Sequence, residues 1–493
     1  MYWDKKKLDK NSLLQKQCDF SHVLNNEIAS VFSSYSNSKS LFLHFSDSYL
    51  SENHYVINII QQLAEALKYD LYLIYNGKKS NFKCLDNFCK QMISCSSTRI
   101  IDKTINSVDV KSILYFGNPS NNFLTFINDY NLSSVFLVDY LFENSFFTLS
   151  KFEEWSINNY KIVVNSKNLG KCLKDKYGVP SKYIKYISYW DKVKKGSYSN
   201  TVLMDFVFLL SEYLGNKFAK VSVAVPNYNY AKYLDSRILS IVFQTYPLYE
   251  VLLLDDCSTD DSIEKFSMYK SKNPYLFNVI CNNTNSGNVF FQWKKAFANS
   301  RGDYVWIAEA DDIAHPFLLE SLVNSFISND EILLAYSQSA RINTGGNFIS
   351  KNSLSNTDDI DTLRWRSNYI NDACDELKKY FSIKNIIPNV SAVLFKNVNY
   401  SSYLTEASKF KVAGDWYFYY SVLKKGGKIS YICEPLNYHR IHDRSVTKKL
   451  NWVEHFNEIC YVQDIIMDTM NVELFQREIV YNYRKKIKAV LTW

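Results

Sequence analysis

Short apolar runs recur along the first part of the chain at the spacing of alternating strands and helices. Five of them are typical of buried strands, namely LFLHF (41–45), DLYLIYN (70–76), SILYFG (112–117), SVFLVD (134–139) and KIVVN (161–165). Residues 54–68 lie between the first two runs and carry apolar side chains at helical spacing. Strands that alternate with helices predict a parallel sheet, and therefore an α/β, Rossmann-like domain over residues 39–196.

A second series of strand-like runs begins near residue 219, and polar residues follow its strands. Three segments each begin with a predicted buried strand: KVSVAVPNYNYAKYL (220–234), YEVLLLDDCSTDDS (249–262) and GDYVWIAEADDIAHP (302–316). Ligands in open α/β sheets bind outside the carboxyl ends of the strands, so Asp255 and Asp256 stand where a ligand would be met. The alternative is that Asp256, with Ser258 and Asp260, only caps the next helix.

Three carboxylates follow the third of these strands. Glu309, Asp311 and Asp312 lie within four residues of one another. Carboxylates this close repel, and burial raises the cost of keeping them ionised. A divalent cation removes this cost, and oxygen ligands suit magnesium or manganese. The alternative, a solvated acidic turn, is disfavoured by the apolar and aromatic residues 304–308 that precede it.

Composition and charge exclude several classes of protein. The 493 residues include 57 Lys and Arg against 50 Asp and Glu, and a net charge of +7 is too mild for a dedicated nucleic-acid binder. No apolar run approaches the roughly 20 residues that a membrane-spanning helix needs, and the N-terminus does not have the pattern of a signal peptide. Ten cysteines in a chain of this length do not indicate a disulfide framework. We therefore expect a soluble, cytoplasmic protein.

Six motifs follow one another in the second half of the chain: VSVAVPNYN (221–229), LLLDDCSTDDS (252–262), NNTNSGN (282–288), GDYVWIAEADD (302–312), VAGDWYFYYSVLKKG (412–426) and YHRIHDRSVT (438–447). In this order they resemble a family 2 glycosyltransferase of the GT-A fold over residues 219–447. In the first domain, residues 161–188 resemble the end of the first Rossmann-like half of a GT-B glycosyltransferase, and no second half follows. The first domain is then either an acceptor- or partner-binding domain or a scaffold.

The resemblance implies roles for the residues that hold the donor. The backbone around Pro226 and Tyr228, together with the Asp256 carboxylate, would hold the base and ribose of a nucleotide. Arg440 would pair with a phosphate of the donor.

The resemblance also implies a metal site and a catalytic base. Asp311 matches the principal metal ligand, with Glu309 and Asp312 in support, and His442 matches a metal neighbour near the diphosphate. Asp415, in the Gly-Asp-Trp turn, matches the base that takes the proton of the acceptor hydroxyl.

Two positions depart from the family pattern. Glu309 stands where the family usually has the first Asp of the D-x-D motif. Gln292-Trp293-Lys294 stands where the family often has an Arg-Asn pair, and Lys294 either replaces the basic contact or lies on a solvated helix face.

These patterns predict an inverting, metal-dependent glycosyltransferase that uses Mn²⁺ or Mg²⁺. Its donor would be a nucleoside-diphosphate sugar, with uridine as the expected base. Its acceptor would be a hydroxyl of a glycan, a lipid-linked molecule or a protein in surface polysaccharide or glycoconjugate synthesis. The alternatives are a non-catalytic sugar-nucleotide-binding scaffold and a sugar nucleotidyltransferase; the absence of a Gly-rich basic loop at residues 226–234 disfavours the latter.

Three further segments complete the predicted organisation. Residues 1–38 are expected to form a helical lead-in, residues 197–218 a linker helix, and residues 448–493 C-terminal helices. The last segment has apolar residues at helical spacing together with Arg484, Lys485 and Lys488. It either contacts an anionic membrane peripherally or packs against the catalytic domain.

Overall fold

The computed structural model describes three parts of the chain. The first part lies between Lys39 and Phe208 and consists of seven strands and four further residues. The second part is residues 218–442 except residue 275, and the third is residues 452–491. The predicted lead-in 1–38, the helix predicted at 54–68 and almost all of the linker 197–218 lie outside the described residues. The chain divides into two compact units, of which the first is residues 1–186 with 345–347 and the second is the remainder.

The described part of the first unit is a parallel sheet of seven strands. The strands are β1 (Lys39–Phe45), β2 (Tyr69–Tyr75), β3 (Cys89–Ser94), β4 (Val110–Phe116), β5 (Ser133–Val138), β6 (Tyr160–Val164) and β7 (Ile184–Tyr186). They lie in the order β3-β2-β1-β4-β5-β6-β7, and every neighbouring pair is parallel. The order 3-2-1-4-5-6 is that of nucleotide-binding Rossmann folds, and the predicted parallel sheet is confirmed.

The second unit contains a mixed sheet. Its strands are β8 (Val221–Asn227), β9 (Glu250–Asp255), β10 (Phe277–Cys281), β11 (Tyr304–Ile307), β12 (Ile313–Ala314), β13 (Ile332–Ile342), β14 (Phe348–Ser350), β15 (Tyr369–Asp372), β16 (Val393–Lys396) and β17 (Lys428–Arg440). The main order is β10-β9-β8-β11-β16-β13-β17-β12. The four strands β10, β9, β8 and β11 are parallel, whereas β16 is antiparallel to both of its neighbours.

Nine helices accompany this sheet within the described residues. They are α1 (Ala231–Val242), α2 (Ser262–Lys272), α3 (Val289–Asn299), α4 (Leu318–Ser328), α5 (Ala373–Glu376), α6 (Ser401–Ala407), α7 (Gly414–Leu423), α8 (Trp452–Thr469) and α9 (Leu474–Leu491). Asn288 caps α3, its side chain accepting a hydrogen bond from the Phe290 N–H.

The parallel strands of the second unit have unbroken apolar sequences because they are buried in its core. Every residue of β8 and of β9 is buried, as expected for strands covered on both faces. The C-terminal helices pack in a second buried cluster with β11, β13, β16 and α7, in which Val462 and Ile466 of α8 and Val480 of α9 are fully buried. None of the described helices is long and apolar enough to span a membrane.

Candidate active site

The strand order of the second unit reverses at β8 and creates a crevice. β9 lies on one side of β8 and β11 on the other, and both are parallel to it. Ligands of open α/β sheets bind at such a reversal, outside the carboxyl ends of the strands. Asn227 at the end of β8 donates to Asp255 at the end of β9 (Nδ2 to Oδ1, 2.8 Å), so that the two strand ends are held together.

The Asp256 carboxylate orders the loop of the N-x-G motif. Its Oδ1 accepts hydrogen bonds from Asn282 Nδ2 (2.5 Å) and from the Ser286 N–H (2.9 Å), and its Oδ2 accepts from Ser286 Oγ (2.7 Å). The side chain is thus used to join two of the six motifs. The alternative that Asp256 caps α2 is not observed, since Asp261 precedes that helix and the Asp256 bonds go elsewhere.

Asp311 and His442 are in direct contact although 131 residues separate them in the chain. Their Oδ2 and Nε2 atoms are 2.8 Å apart, and the exposed fractions of the two side chains are 20% and 6%. β17 brings the histidine to this place, because it pairs with β12, which directly follows the acidic turn of Glu309 to Asp312. The predicted metal residues therefore meet at one point.

Arg440 stabilises the backbone around the same turn. Its N–H donates to Asp312 Oδ1 (2.8 Å) and its Nε donates to the Asp311 carbonyl (2.6 Å). Nη1 donates to the carbonyls of Asn343 (2.9 Å) and Thr344 (3.2 Å). These bonds orient the turn, and the predicted phosphate contact of Arg440 stays a prediction.

Glu309 has a partner that the sequence did not suggest. The indole N–H of Trp293 donates to Glu309 Oε1 at 2.9 Å, so the tryptophan that departs from the family's Arg-Asn pattern holds the first residue of the acidic motif. Burial and then the Asp311 carboxylate raise the pKa of Glu309 to about 8. The neighbouring Lys294 donates to Thr405 Oγ1 (3.0 Å), which places its ammonium against α6.

A buried arginine lies under the acidic turn. Arg237 of α1 is fully buried, its guanidinium lies 5.4 Å from the ring centre of Trp306, and its Nε donates to the Glu309 carbonyl at 2.7 Å. Burial lowers its pKa to about 10, against the attraction of Asp312, Asp311 and Glu309. The group therefore stays charged at neutral pH and compensates the carboxylates. The sequence signal was an arginine within the apolar helical spacing of Leu234, Ile238 and Ile241.

The donor set suits a divalent cation that also binds substrate. Among the residues that the structure describes, no group of three or more His, Cys, Asp or Glu side chains is arranged to hold a metal alone. Mg²⁺ and similar cations are, however, often bound by one or two carboxylates together with phosphate oxygens and water. Asp311 and His442 offer two ligands. The carboxylates of Asp311 and Asp312 add to the effect of burial on the Glu309 pKa, so negative charge is concentrated beside these ligands. The residues fit such a cation.

Asp415, the predicted base, lies in the first turn of α7 and accepts two hydrogen bonds. Burial raises the pKa of its carboxyl to about 6, against hydrogen bonds that favour the charged form. The Trp416 N–H donates to Oδ1 (2.7 Å) and Asn385 Nδ2 donates to Oδ2 (3.1 Å). A pKa near 6 leaves the group ionised at neutral pH and yet more basic than an ordinary aspartate.

Helix α3 lies close to three of the predicted site residues, Asp256, Glu309 and Asp415. Its capping residue follows the loop that Asp256 holds, and Trp293 bonds to Glu309. Gly414 faces the Phe290 ring so closely that a Cβ there would lie 2.5 Å from it. Asp256, Glu309 and the turn of Asp415 are therefore neighbours of one helix, while Asp311, Asp312, Arg440 and His442 contact one another directly.

The two remaining predicted donor residues lie at the end of β8. Pro226 is buried within the strand and pairs with Leu254. Tyr228 follows the strand and is 44% exposed, so its ring is accessible at the crevice. Their contacts with a nucleotide stay a prediction.

Comparison with known families and proteins gives a consistent result. The model of the family described as "Glycosyl transferase family 2" matches residues 222–386. The match includes Asp256 and the acidic turn, and ends before Asp415, Arg440 and His442.

Curated relatives are glycosyltransferases by name. The chain is 29% identical over 240 residues to an uncharacterised glycosyltransferase of Haemophilus influenzae, which covers 47% of this chain and 68% of that protein. It is 33% identical over 95 residues to a poly(ribitol-phosphate) beta-N-acetylglucosaminyltransferase of Staphylococcus aureus, covering 19% and 16% of the two chains. The chain spans only 34% to 36% of the length of several other curated relatives.

Solved structures similar to the chain include S. aureus TarS in complex with UDP-GlcNAc. That match has 18% identity and a TM-score of 0.39, and covers 54% of this chain and 71% of that chain. The strand order, the family match and the named relatives lead to one assignment. Residues 222–386 match glycosyltransferase family 2, and over this part the chain is similar to family 2 glycosyltransferases of the GT-A fold.

Proposed function

We propose that this protein is an inverting, metal-dependent glycosyltransferase. It transfers a sugar from a nucleoside-diphosphate sugar, with uridine as the expected base, to a hydroxyl of a glycan, lipid-linked or protein acceptor. The observation that carries the proposal is the contact between Asp311 and His442 in the acidic turn of the region that matches family 2. Glu309 of the same turn bonds to helix α3, and α3 also contacts the turn of Asp415. We propose residues 219–447 as the catalytic domain and residues 39–196 as a separate domain.

The proposed reaction is a single displacement. The Asp415 carboxylate takes the proton of the acceptor hydroxyl, and the hydroxyl oxygen forms a bond to the anomeric carbon. The bond from that carbon to the diphosphate oxygen breaks, and the nucleoside diphosphate leaves with the electron pair. Attack from the face opposite the leaving group inverts the anomeric configuration. A cation held by Asp311 and His442 would neutralise the charge that grows on the diphosphate.

The names of the relatives support a polymer as the acceptor. They include a putative teichuronic acid biosynthesis glycosyltransferase of Bacillus subtilis, a hyaluronan synthase of Pasteurella multocida and a chondroitin synthase of Escherichia coli. We therefore propose a role in surface polysaccharide or glycoconjugate synthesis, in the cytoplasm, with peripheral contact to the membrane through residues 473–493.

Two substitutions test the assignment of roles. Asp415→Asn should keep donor binding and lose nearly all transfer, because the amide cannot accept the acceptor proton. Asp311→Ala should lose the cation-dependent part of donor binding. Asp375→Asn, at a half-exposed carboxylate paired with Lys379, is the matched control and should behave as the unmodified protein.

The measurements are transfer or donor hydrolysis with a panel of sugar nucleotides, and thermal shift by nucleoside diphosphates with and without Mn²⁺. Full turnover by Asp415→Asn would remove the base assignment. Donor binding without any transfer or hydrolysis by the unmodified protein would favour the non-catalytic scaffold.

A further inference from the structure

One carboxylate from a C-terminal helix binds the loop that leads into α7. Glu458 of α8 accepts three consecutive backbone N–H groups, those of residues 411, 412 and 413. Its Oε1 accepts from Lys411 N at 2.8 Å, and its Oε2 accepts from Val412 N at 2.8 Å and from Ala413 N at 3.0 Å. Both oxygens of the side chain are thus directed at a single short segment of backbone.

The start of α7 requires such a partner. The residue before the helix is Ala413, whose side chain makes no capping bond, and alanine is among the poorest residues at this position. Consecutive N–H groups that point to one side form a concave site for an anion. The carboxylate supplies charge-assisted hydrogen bonds there, which are about twice as strong as neutral ones, and its negative charge suits the positive end of the helix.

The segment that Glu458 holds is continuous with the predicted base. Ala413 accepts the hydrogen bond of Tyr417 N (2.9 Å), which closes the first turn of α7 around Gly414 and Asp415. Asp415 itself bonds to the N–H of the next residue, Trp416. A shift of the 411–413 backbone therefore moves the Asp415 carboxylate.

The helix that carries Glu458 is itself firmly held. Val462, Ile466 and Met467 are fully buried in the core of the unit, and Gln463 Nε2 donates to the Ile383 carbonyl at 2.7 Å. α8 lies beyond the matched residues 222–386, yet it supports the loop that leads into α7.

We propose that Glu458 is a positioning residue for Asp415. This inference rests on the proposed function. The carboxylate fixes the start of α7 so that Asp415 points at the acceptor hydroxyl, and the C-terminal helices are in this way part of the catalytic unit. Supporting groups of this kind typically change activity by about 10- to 100-fold when they are removed.

The experiment compares Glu458→Ala and Glu458→Gln with a control one helical turn earlier. Glu454 binds the same residue, Lys411, but through its exposed side chain only (Nζ to Oε2, 2.9 Å). Glu458→Ala should lower kcat about 10- to 100-fold, with donor KM and the thermal shift by UDP and Mn²⁺ nearly unchanged. Glu458→Gln keeps one acceptor oxygen, so its kcat should lie between those of Glu458→Ala and the unmodified protein. Glu454→Ala should have the kcat of the unmodified protein. All assays are run well below the Tm of each variant.

A purely structural role would lower the Tm of Glu458→Ala while kcat stayed at the unmodified value, and this result would overturn the proposal. An equal loss in donor binding would do so too, since it would indicate a general loosening of the site. Amide hydrogen exchange tests whether Glu458 holds the backbone of residues 411–413, independently of whether the protein catalyses transfer. The amides of residues 411–417 should exchange faster in Glu458→Ala even if the unmodified protein transfers nothing, a case in which the proposed function alone has failed. Unchanged exchange would show that Glu458 does not hold this backbone.

Discussion

Side chains that differ from the common family pattern interact with one another in this site. Trp293 lies in the stretch Gln292-Trp293-Lys294, where the family often has an Arg-Asn pair, and Glu309 stands where the family usually has an aspartate. The structure joins the two through one hydrogen bond of 2.9 Å. A glutamate reaches one methylene further than an aspartate, and a tryptophan donates only through its indole N–H. The two departures therefore compensate each other, which no single position could indicate.

The environment of Asp415 predicts a pH dependence. The base must be ionised, so kcat should rise with pH through the pKa of about 6. Asn385 donates to this carboxylate and favours the charged form. Asn385→Ala should therefore raise the pKa of Asp415 and move the acidic limb of the kcat profile to higher pH. A shift of about one unit is expected, because a hydrogen bond to a charged group contributes roughly 1.5 kcal/mol and one pKa unit is about 1.36 kcal/mol.

The measurement is kcat at saturating donor and acceptor from pH 5 to about 8. Asp415→Asn is the reference, since its residual activity should have no limb near this pH. If Asn385→Ala left the acidic limb in place, the group that titrates would not be Asp415.

At the scale of elements, the close approach of α3 and α7 sets the position of the base. Gly414 has no side chain, and the two helices use that space. A Cβ there would lie 2.5 Å from the Phe290 ring and 2.6 Å from the Ala407 carbonyl. Only the aromatic ring could rotate away, because the carbonyl belongs to the backbone. The glycine of the Gly-Asp-Trp turn is thus required by packing.

Gly414→Ala should displace the start of α7. We expect a loss of stability of about 1–3 kcal/mol, typical of overpacking, and a fall in kcat that exceeds the change in donor KM, because Asp415 moves with its helix. Urea unfolding and steady-state kinetics measure the two effects. Ala407→Gly is the control. It changes the residue that faces Gly414 but leaves the backbone carbonyl in place and adds no atoms near α7. Full activity of Gly414→Ala at unchanged stability would contradict the packing argument.

Elements differ in how far the sequence could predict them. The strands β8, β9 and β11 were predictable, because strands buried on both faces are continuously apolar. The five apolar runs of the first unit also form strands. β3 was not predictable, since CKQMIS mixes charged and apolar residues. Trp365 is 2% exposed and donates to Tyr336 Oη, so it packs in the core.

At the scale of the whole molecule, the sequence could predict which carboxylates are functional candidates but not how distant segments support them. Asp256, Asp311 and Asp415 lie in motifs that can be read locally. Glu458 and Asn385 act through contacts with residues 45 and 30 positions away. No periodicity or fixed spacing in the sequence marks such pairs. They come into contact only because α8 and residues 377–387 pack against α7. The same packing places buried residues of both C-terminal helices, α8 and α9, against the catalytic domain.

The C-terminal helix α9 should bind anionic membranes weakly and only by charge. Val480 is fully buried, and Ile479 and Tyr483 pack against the core of the unit, so this side of the helix is not free to insert into a bilayer. Among its described side chains, only Leu474 and Phe475, at the start of the helix, are large apolar residues that it leaves strongly exposed.

Arg484 is bonded to Gln463, Cys460 and Asp464, whereas Lys485 and Lys486 are exposed. Each exposed lysine near an anionic surface contributes about 1 kcal/mol, which salt screens. We expect the full chain to sediment with vesicles rich in anionic lipid at low salt, to be released at about 0.5 M salt, and not to bind neutral vesicles.

The double variant Lys485→Glu/Lys486→Glu should reduce binding to the anionic vesicles, whereas Lys351→Glu, distant in the chain, should not. Binding that survives high salt would mean that apolar insertion occurs after all, and a protein that stays in the supernatant at low salt has no such membrane contact.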